Sequence, residues 1–485
     1  MDKLKKHLWK EIAALVFILL IAASLAWAQS QPPLKSADTD PDATHPSEAT
    51  HQISPKEADE LFHSVDDILK FCSKDTGLPI KHSVNRKLTS RDEVEEFLRK
   101  GMADDKDAER FRRSELVLKK FGLLPRDFEM QKFLIALLRE QVAGYYDPKT
   151  KYVNLLNWID PEQQRPVLAH ELTHALQDQS FGLKKWMVFE DPADRKNPGA
   201  EDIQNDEIST ARQAVVEGQA TAVLIDYMLA PAGQSIQTSP QIAEALKAGM
   251  LVGSADSVQL HNAPNFIREA LTFPYRYGLD FEVALLTKAG KEKAYQDTFK
   301  NPPTSTRQIM EPETYLSGER IPPMFVPNFK QIFKNYNRFD IGSIGEFDVA
   351  MLIDQYAGAE APQKLYTHWR GGYYYAAKAK NDASAPLGLF YISRWSDQEH
   401  AAKFASIYAR SLWKRYKQVH GVAEGNIQPL DSVAAITDLD GRHVWSTEEG
   451  PVVIEVRQDT LLITESLDEP TTESLERTFL TSKTH

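Results

Sequence analysis

The chain has 485 residues, with 57 Lys and Arg against 69 Asp and Glu and a net charge of −12. At roughly 100–200 residues per domain this is room for two or three domains, and 42% hydrophobic with 26% charged residues excludes fibrous, collagenous and wholly disordered classes. An acidic balance with no basic cluster after residue 30 argues against nucleic-acid binding, which needs a cationic face for phosphates.

"MDKLKKHLWK" supplies a positive start through Lys3, Lys5, Lys6 and Lys10, an apolar run follows, and "AWA" ends at Ala28. That pattern predicts a signal peptide over residues 1–28 and an extracytoplasmic protein, periplasmic or secreted. The run is about 16 residues, short of the ~20 that span a bilayer, so no stable membrane anchor is expected once the peptide is cleaved. Residues 29–54, rich in Pro, Ser, Thr and Asp, are too poor in aliphatic side chains to offset the entropy of ordering and read as a disordered tether.

Ser54 followed by Pro55 starts a helix whose buried stripe is Leu61, Val65, Ile68, Leu69 and Phe71. Cys72, the single cysteine, cannot form an intramolecular disulfide or a thiolate cage and reads as a small buried residue. Further helices follow, of which "DFEMQKFLIALLREQVAG" is the most hydrophobic and is expected to be central. "YYDPKTKYVNLLNW" predicts a β-hairpin about an Asp-Pro-Lys-Thr turn. Its "KYVNLL" is a candidate edge strand for an extended peptide, or simply part of a structural hairpin. Then come "PVLAHELTHALQDQ", a charged loop over residues 181–207, the apolar helix "ISTARQAVVEGQATAVLIDYMLA", and more helix to about residue 300. "PPTSTRQI" reads as a rigid turn and a helix start capped by Ser305 or Thr306. Strands around one amphipathic helix occupy the C-terminal part, a smaller α+β accessory domain over residues 336–485.

Two histidines four apart on a helix lie on one face a turn apart and can reach one tetrahedral zinc. His170 and His174 have that spacing, and Glu171 between them is placed to hold a zinc-bound water. Gln177 and Ser180 stand where a three-histidine pattern needs glycine and histidine, so the third ligand must be a carboxylate. The 181–207 loop offers Glu190, Asp191, Asp194, Glu201 and Asp206. Glu217 is the better candidate, because it sits in "AVVEGQATAVLI", too apolar to leave a charge uncompensated; a salt bridge to Arg212 is the bland alternative. Its small neighbours Ala214, Gly218 and Thr221 are expected to let its helix approach the His170–His174 helix. Three protein ligands leave a fourth position for water, whose proton Glu171 would take as general base. A donor for the developing oxyanion is expected among Tyr145, Tyr146, His261, Tyr275, Arg276 and Tyr277.

HELTH followed by a helix bearing VEGQAT resembles the gluzincin zinc metallopeptidases, whose third ligand is a glutamate on a later helix. "QVAGYYDP", "LAHELTHALQDQ", "ARQAVVEGQAT" and "NPPTSTRQIMEPETYL" look more narrowly like a set of largely uncharacterised secreted bacterial proteins regarded as metallopeptidases, over about residues 130–350. The resemblance implies one Zn2+ per chain on His170, His174 and Glu217, Glu171 as base, and a peptide or protein substrate. It implies a mostly helical zincin-like domain over residues 55–335 with a small sheet beside the active helix, giving an α+β chain overall. The sequence departs from the thermolysin pattern: Thr221 stands where that pattern has an aspartate, and the 42-residue gap between His174 and Glu217 is longer. Other expectations are a catalytically silent zinc-stabilised scaffold of the cell envelope and a zinc hydrolase of a non-peptide bond.

Overall fold

The computed structural model describes residues 52–480 apart from 95, 97–104, 142–143, 188, 190, 256, 359–363 and 424–428. The expected signal peptide and residues 29–51 of the expected tether lie outside the described residues. Helix α1 (Pro55–Thr76) starts where the sequence predicts, because Ser54 Oγ accepts from the Glu57 amide while the Glu57 carboxylate accepts from the Ser54 amide, a reciprocal cap. Its stripe buries Leu61, Val65, Ile68, Leu69 and Cys72, with Phe71 only half-buried.

α2 (Asp105–Phe121) and α3 (Met130–Gln141) lie in the chain between the first strand and the hairpin of a three-stranded sheet. The hairpin expected at 145–156 forms from β2 (Tyr145–Asp147) and β3 (Tyr152–Leu156), with Asp147 accepting from the Lys149 amide and the Thr150 hydroxyl in the turn. Unexpectedly, β1 (Asn85–Thr89) pairs parallel to β3 on its other side. β3 is therefore the middle strand, and "KYVNLL" has no free edge to offer a peptide.

Three long helices form the centre: α4 (Pro161–Phe181), α5 (Asn205–Leu229) and α7 (Asn265–Glu292), with α6 (Pro240–Ala255) before the last. α5 is buried almost all round from Ala214 to Asp226, as a helix apolar on every face must be. α3, expected to be central, buries only one face through Met130, Leu134 and Leu137 among its described side chains. The small residues of α5 serve α7 more than α4: a Cβ on Gly218 would run into the Gly278 carbonyl, and one on Gly278 into the Ala214 carbonyl.

The expected division at 335/336 coincides with the start of β4 (Tyr336–Ser343). With β5 (Trp369–Ala379), β6 (Gly388–Trp395), β7 (Val419–Val422), β8 (Gly441–Thr447), β9 (Gly450–Arg457) and β10 (Thr460–Glu465) it builds an antiparallel sheet in the order β4-β5-β6-β10-β9-β8-β7. Side chains alternate between its faces. Tyr373, Tyr375, Phe390 and Ile392 pack with Phe329, Phe333 and α10 (Glu469–Leu480) on one side. Tyr374, Ala376, Leu389 and Tyr391 join the main core on the other, with α8 (Glu346–Ala357) and α9 (Gln398–Arg415). Apolar packing thus continues from the helices onto the sheet, in a mixed α+β architecture. Among the described residues no helix is long and apolar enough to cross a membrane.

A buried Glu207 on α5 packs against Gly345 at the start of α8 and is tied to the segment before it. It accepts from the Thr306 amide at 2.9 Å and hydroxyl at 3.0 Å, while Ser305 at the N-cap position makes no side-chain cap bond. The start of "PPTSTRQI" is therefore capped from a distant helix and not by its own Ser305 or Thr306.

Candidate metal centre

α4 begins at Pro161 with Asp160 accepting from the Glu162 amide, so Pro166 lies inside the helix and not in its first turn. Gln164 ties this helix to β3, accepting from the Leu156 amide at 3.0 Å and donating to its carbonyl at 2.9 Å. From α1, the Cys72 thiol donates to the Ala169 carbonyl at 3.3 Å; burial pushes this thiol up to about 12, an inert packing residue as expected. Held from both sides, α4 presents His170 and His174 to α5.

There His170 Nε2 lies 3.0 Å from His174 Nε2 and 3.2 Å from Glu217 Oε2, and His174 Nε2 lies 3.3 Å from the same oxygen. All three side chains are buried, with 1, 7 and 2% of their residues exposed. Three lone-pair-bearing atoms so close repel unless a proton or a cation lies among them. Ligand atoms about 2.0–2.1 Å from a tetrahedral ion stand about 3.3 Å apart, so the triangle fits a metal ion, and this buried group could hold one. Burial alone would raise the Glu217 carboxyl, but the two imidazoles hold it down at about 2. Burial alone would lower His174, yet the Glu217 carboxylate pushes it up to about 9, while burial leaves His170 at about 4.

Glu171 points to the β2 side. Its Oε2 accepts from the Tyr146 amide at 2.6 Å, and its Oε1 is buried with no hydrogen-bond partner. Burial raises its carboxyl to about 8 against the opposing pull of His174 and the Tyr146 amide.

No family model, curated protein or solved structure matches this chain.

Of the expected oxyanion donors, Tyr275 on α7 reaches the centre: its ring stacks over His170 at 6.3 Å, and its hydroxyl engages the Glu217 carboxylate, next to which burial holds the phenol well above its ordinary value. Tyr146 lends its amide to Glu171 but sends its hydroxyl to Asp178 at 2.9 Å. Tyr145 is buried, His261 is exposed, Arg276 donates to Glu269, and Tyr277 packs on Phe273. Arg212 does not pair with Glu217; its guanidinium donates to the Trp186 carbonyl and lies over the Trp186 ring. Asp191 and Asp194 face Arg113 and Asp206 faces Arg110, Glu201 is exposed, and Glu190 lies outside the described residues. The 181–207 loop is tied to α2 through these pairs and to β4 by Arg338, which donates to the Ala193 carbonyl.

Sequence reasoning missed the residues behind His170, His174 and Glu217. Gln177 Oε1 meets His174 Nδ1 at 2.9 Å, while Gln177 Nε2 donates to the Val216 carbonyl and to Gln219 Oε1. Gln219 donates in turn to the Ala294 carbonyl and to Thr298 Oγ1. With its amide nitrogen so engaged, Gln177 Oε1 accepts the His174 Nδ1 proton, and Nε2 is the ring nitrogen turned to Glu217. The signal was a glutamine one turn after His174 on a buried face. A second donor group, His368, Asp397 and His400, lies near the surface. Its rings stack at 3.4 Å and 11°, so their in-plane lone pairs run side by side instead of converging.

Proposed function

We propose that this chain is a zinc-dependent peptidase of the gluzincin type, acting outside the cytoplasm with one Zn2+ on His170, His174 and Glu217 and Glu171 as general base. The observation that carries this reading is the triangle of His170 Nε2, His174 Nε2 and Glu217 Oε2 at 3.0–3.3 Å, with an unpartnered Glu171 oxygen buried beside it. A bound zinc would supply Lewis acidity and an acidified water at its fourth position.

The protein's own groups supply the rest. Gln177 keeps His174 in the tautomer whose Nε2 faces the metal position. The Tyr146 amide fixes one Glu171 oxygen and leaves the other, buried and without a hydrogen-bond partner, to take a proton. Tyr275, buried against His170, is the donor for a developing oxyanion. The parallel with zincin folds rests on this ligand order and on the small sheet beside the active helix.

The seclusion of the centre, with no ligand residue more than 7% exposed, favours a second reading, a zinc-stabilised scaffold with no activity. One experiment separates the two. Wild type and Glu171→Gln are loaded with zinc and incubated with a mixed peptide library, with metal content measured in parallel. Cleavage by wild type alone, with equal zinc in both, is expected; equal zinc with no cleavage by either moves the assignment to the scaffold.

A further inference from the structure

On a chain of net charge −12, one open groove is lined by six cations and a single carboxylate, Glu109. It runs between α2, the 193–198 loop, the 326–330 segment and the outer side of β4. Two of the cations are used internally, Arg112 by Glu109 and Arg113 by Asp191. The other four, Lys196, Lys330, Arg338 and Lys380, have no carboxylate partner among the described residues. Three of them are held in place by neutral groups: Lys330 donates to Asn197 Oδ1 at 3.2 Å, Lys380 to the Lys334 carbonyl at 2.7 Å, and Arg338 to the Ala193 carbonyl at 2.8 Å. Their charges are positioned but not neutralised.

The groove wall is the terminal strand of the seven-stranded sheet. Asn337 is exposed and its neighbours Tyr336 and Arg338 are half-buried; β4 pairs only with β5 among the described strands, and a bulge follows at Phe339. The Tyr336 amide donates to the Phe333 carbonyl, so the length of main chain open to one more extended segment runs from the Tyr336 carbonyl to Arg338, before the bulge ends the register. The aromatic floor argues against nucleic acid, because Phe329 and Phe333 are 7 and 2% exposed and pack on Tyr375, so they offer no face for bases to stack on. The groove is also remote from the metal centre. Asp206, which packs against Gly342 at the inner end of β4, is eleven residues before Glu217 on α5, roughly 16 Å along a helix.

We propose that this groove is a docking site for an extended, acidic polypeptide segment, whose carboxylates meet Lys196, Lys330, Arg338 and Lys380 while its main chain runs along Tyr336–Arg338. The site acts independently of the metal centre and holds whether or not that centre is catalytic.

The test uses the full-length protein and a labelled peptide of about ten residues alternating Glu and Val, with a Gln-for-Glu counterpart, read by fluorescence anisotropy. The Glu peptide should bind, the Gln peptide at least tenfold more weakly, and affinity should fall as salt is raised. The triple variant K196E/K330E/K380E alters only exposed side chains; it should lose at least tenfold in affinity with an unchanged unfolding curve. No binding of the Glu peptide by wild type, equal binding by the triple variant, or tighter binding of a single-stranded oligonucleotide of the same charge would each overturn the assignment.

Discussion

Glu217 and Glu465 are both carboxylates with almost no solvent contact, 2 and 0% exposed, and both are held at about 2 by cationic or imidazole neighbours that outweigh the cost of burial. Their surroundings differ in completeness. Glu465, at the end of β10, receives Arg415 and the Tyr408 hydroxyl at 2.7 Å, the Tyr416 hydroxyl at 2.5 Å, and the Lys120 ammonium at 3.7 Å. Every lone pair has a donor, so the cluster needs nothing from outside. Glu217 has the Tyr275 hydroxyl and two imidazoles that also face each other, but beside it His170 Nδ1 and Glu171 Oε1 have no hydrogen-bond partner. A buried acid with a full set of donors is a fastening, whereas one in an incomplete set marks a place where something else belongs.

The contrast is sharpest under mutation. Glu465→Leu leaves Arg415 buried without a counter-charge, while Lys120 keeps Glu449 at 2.8 Å, and should cost about 3–5 kcal/mol in urea unfolding, with the same loss in the presence and absence of zinc. Wild type should gain about 4 kcal/mol when free zinc is a thousandfold above its Kd, and Glu217→Ala should gain nothing and retain no stoichiometric metal. Retention of zinc by Glu217→Ala would erase the distinction drawn between the two carboxylates. Gln177→Leu removes the acceptor for His174 Nδ1 and should weaken zinc binding about 10–100-fold by chelator competition, while Gln177→Glu, which keeps an acceptor, should recover most of it.

The most gradual effect is a pH slope from Glu207, which packs against Gly345. Burial and then the nearby Asp348 raise the Glu207 carboxyl to about 8, so the folded state keeps a proton that the unfolded chain has lost above about 4.5. Stability from this group is complete below about pH 4.5 and is lost as pH rises towards 8, at no more than about 1.4 kcal/mol per pH unit. Glu465 carries the opposite sign: its contribution is complete above about 4.5 and is lost as pH falls towards 2. Glu207→Gln should flatten the alkaline slope in pH-dependent unfolding and leave the acid limb unchanged.

Much of this arrangement was legible locally. The α1 cap, the hairpin, the buried Cys72 and the four-residue spacing of His170 and His174 each depend on a few consecutive residues. Glu217 was legible for another reason, since a carboxylate in so apolar a helix has to be compensated. Hydrophobicity alone misplaced the centre of the fold: α3 is rich in apolar residues but confines burial to one face, whereas α5 is small and apolar on every face and is enclosed. The strand β1 was invisible because "NRKLT" is polar and its partner β3 is 67 residues further along the chain.

By itself the sequence determined the start of α1, the turn at Asp147, the pairing of His170 with His174 on one helix face and the need to neutralise Glu217, because these follow from steric, capping and desolvation rules that act within one element. Only the tertiary structure decided that Glu217 and not Asp191 or Asp206 joins the two histidines, that Gln177 and Tyr275 stand behind them, and that Gly218 serves the crossing with α7. Those outcomes depend on which helices cross and how closely, and crossing is settled by packing between segments that no local pattern relates.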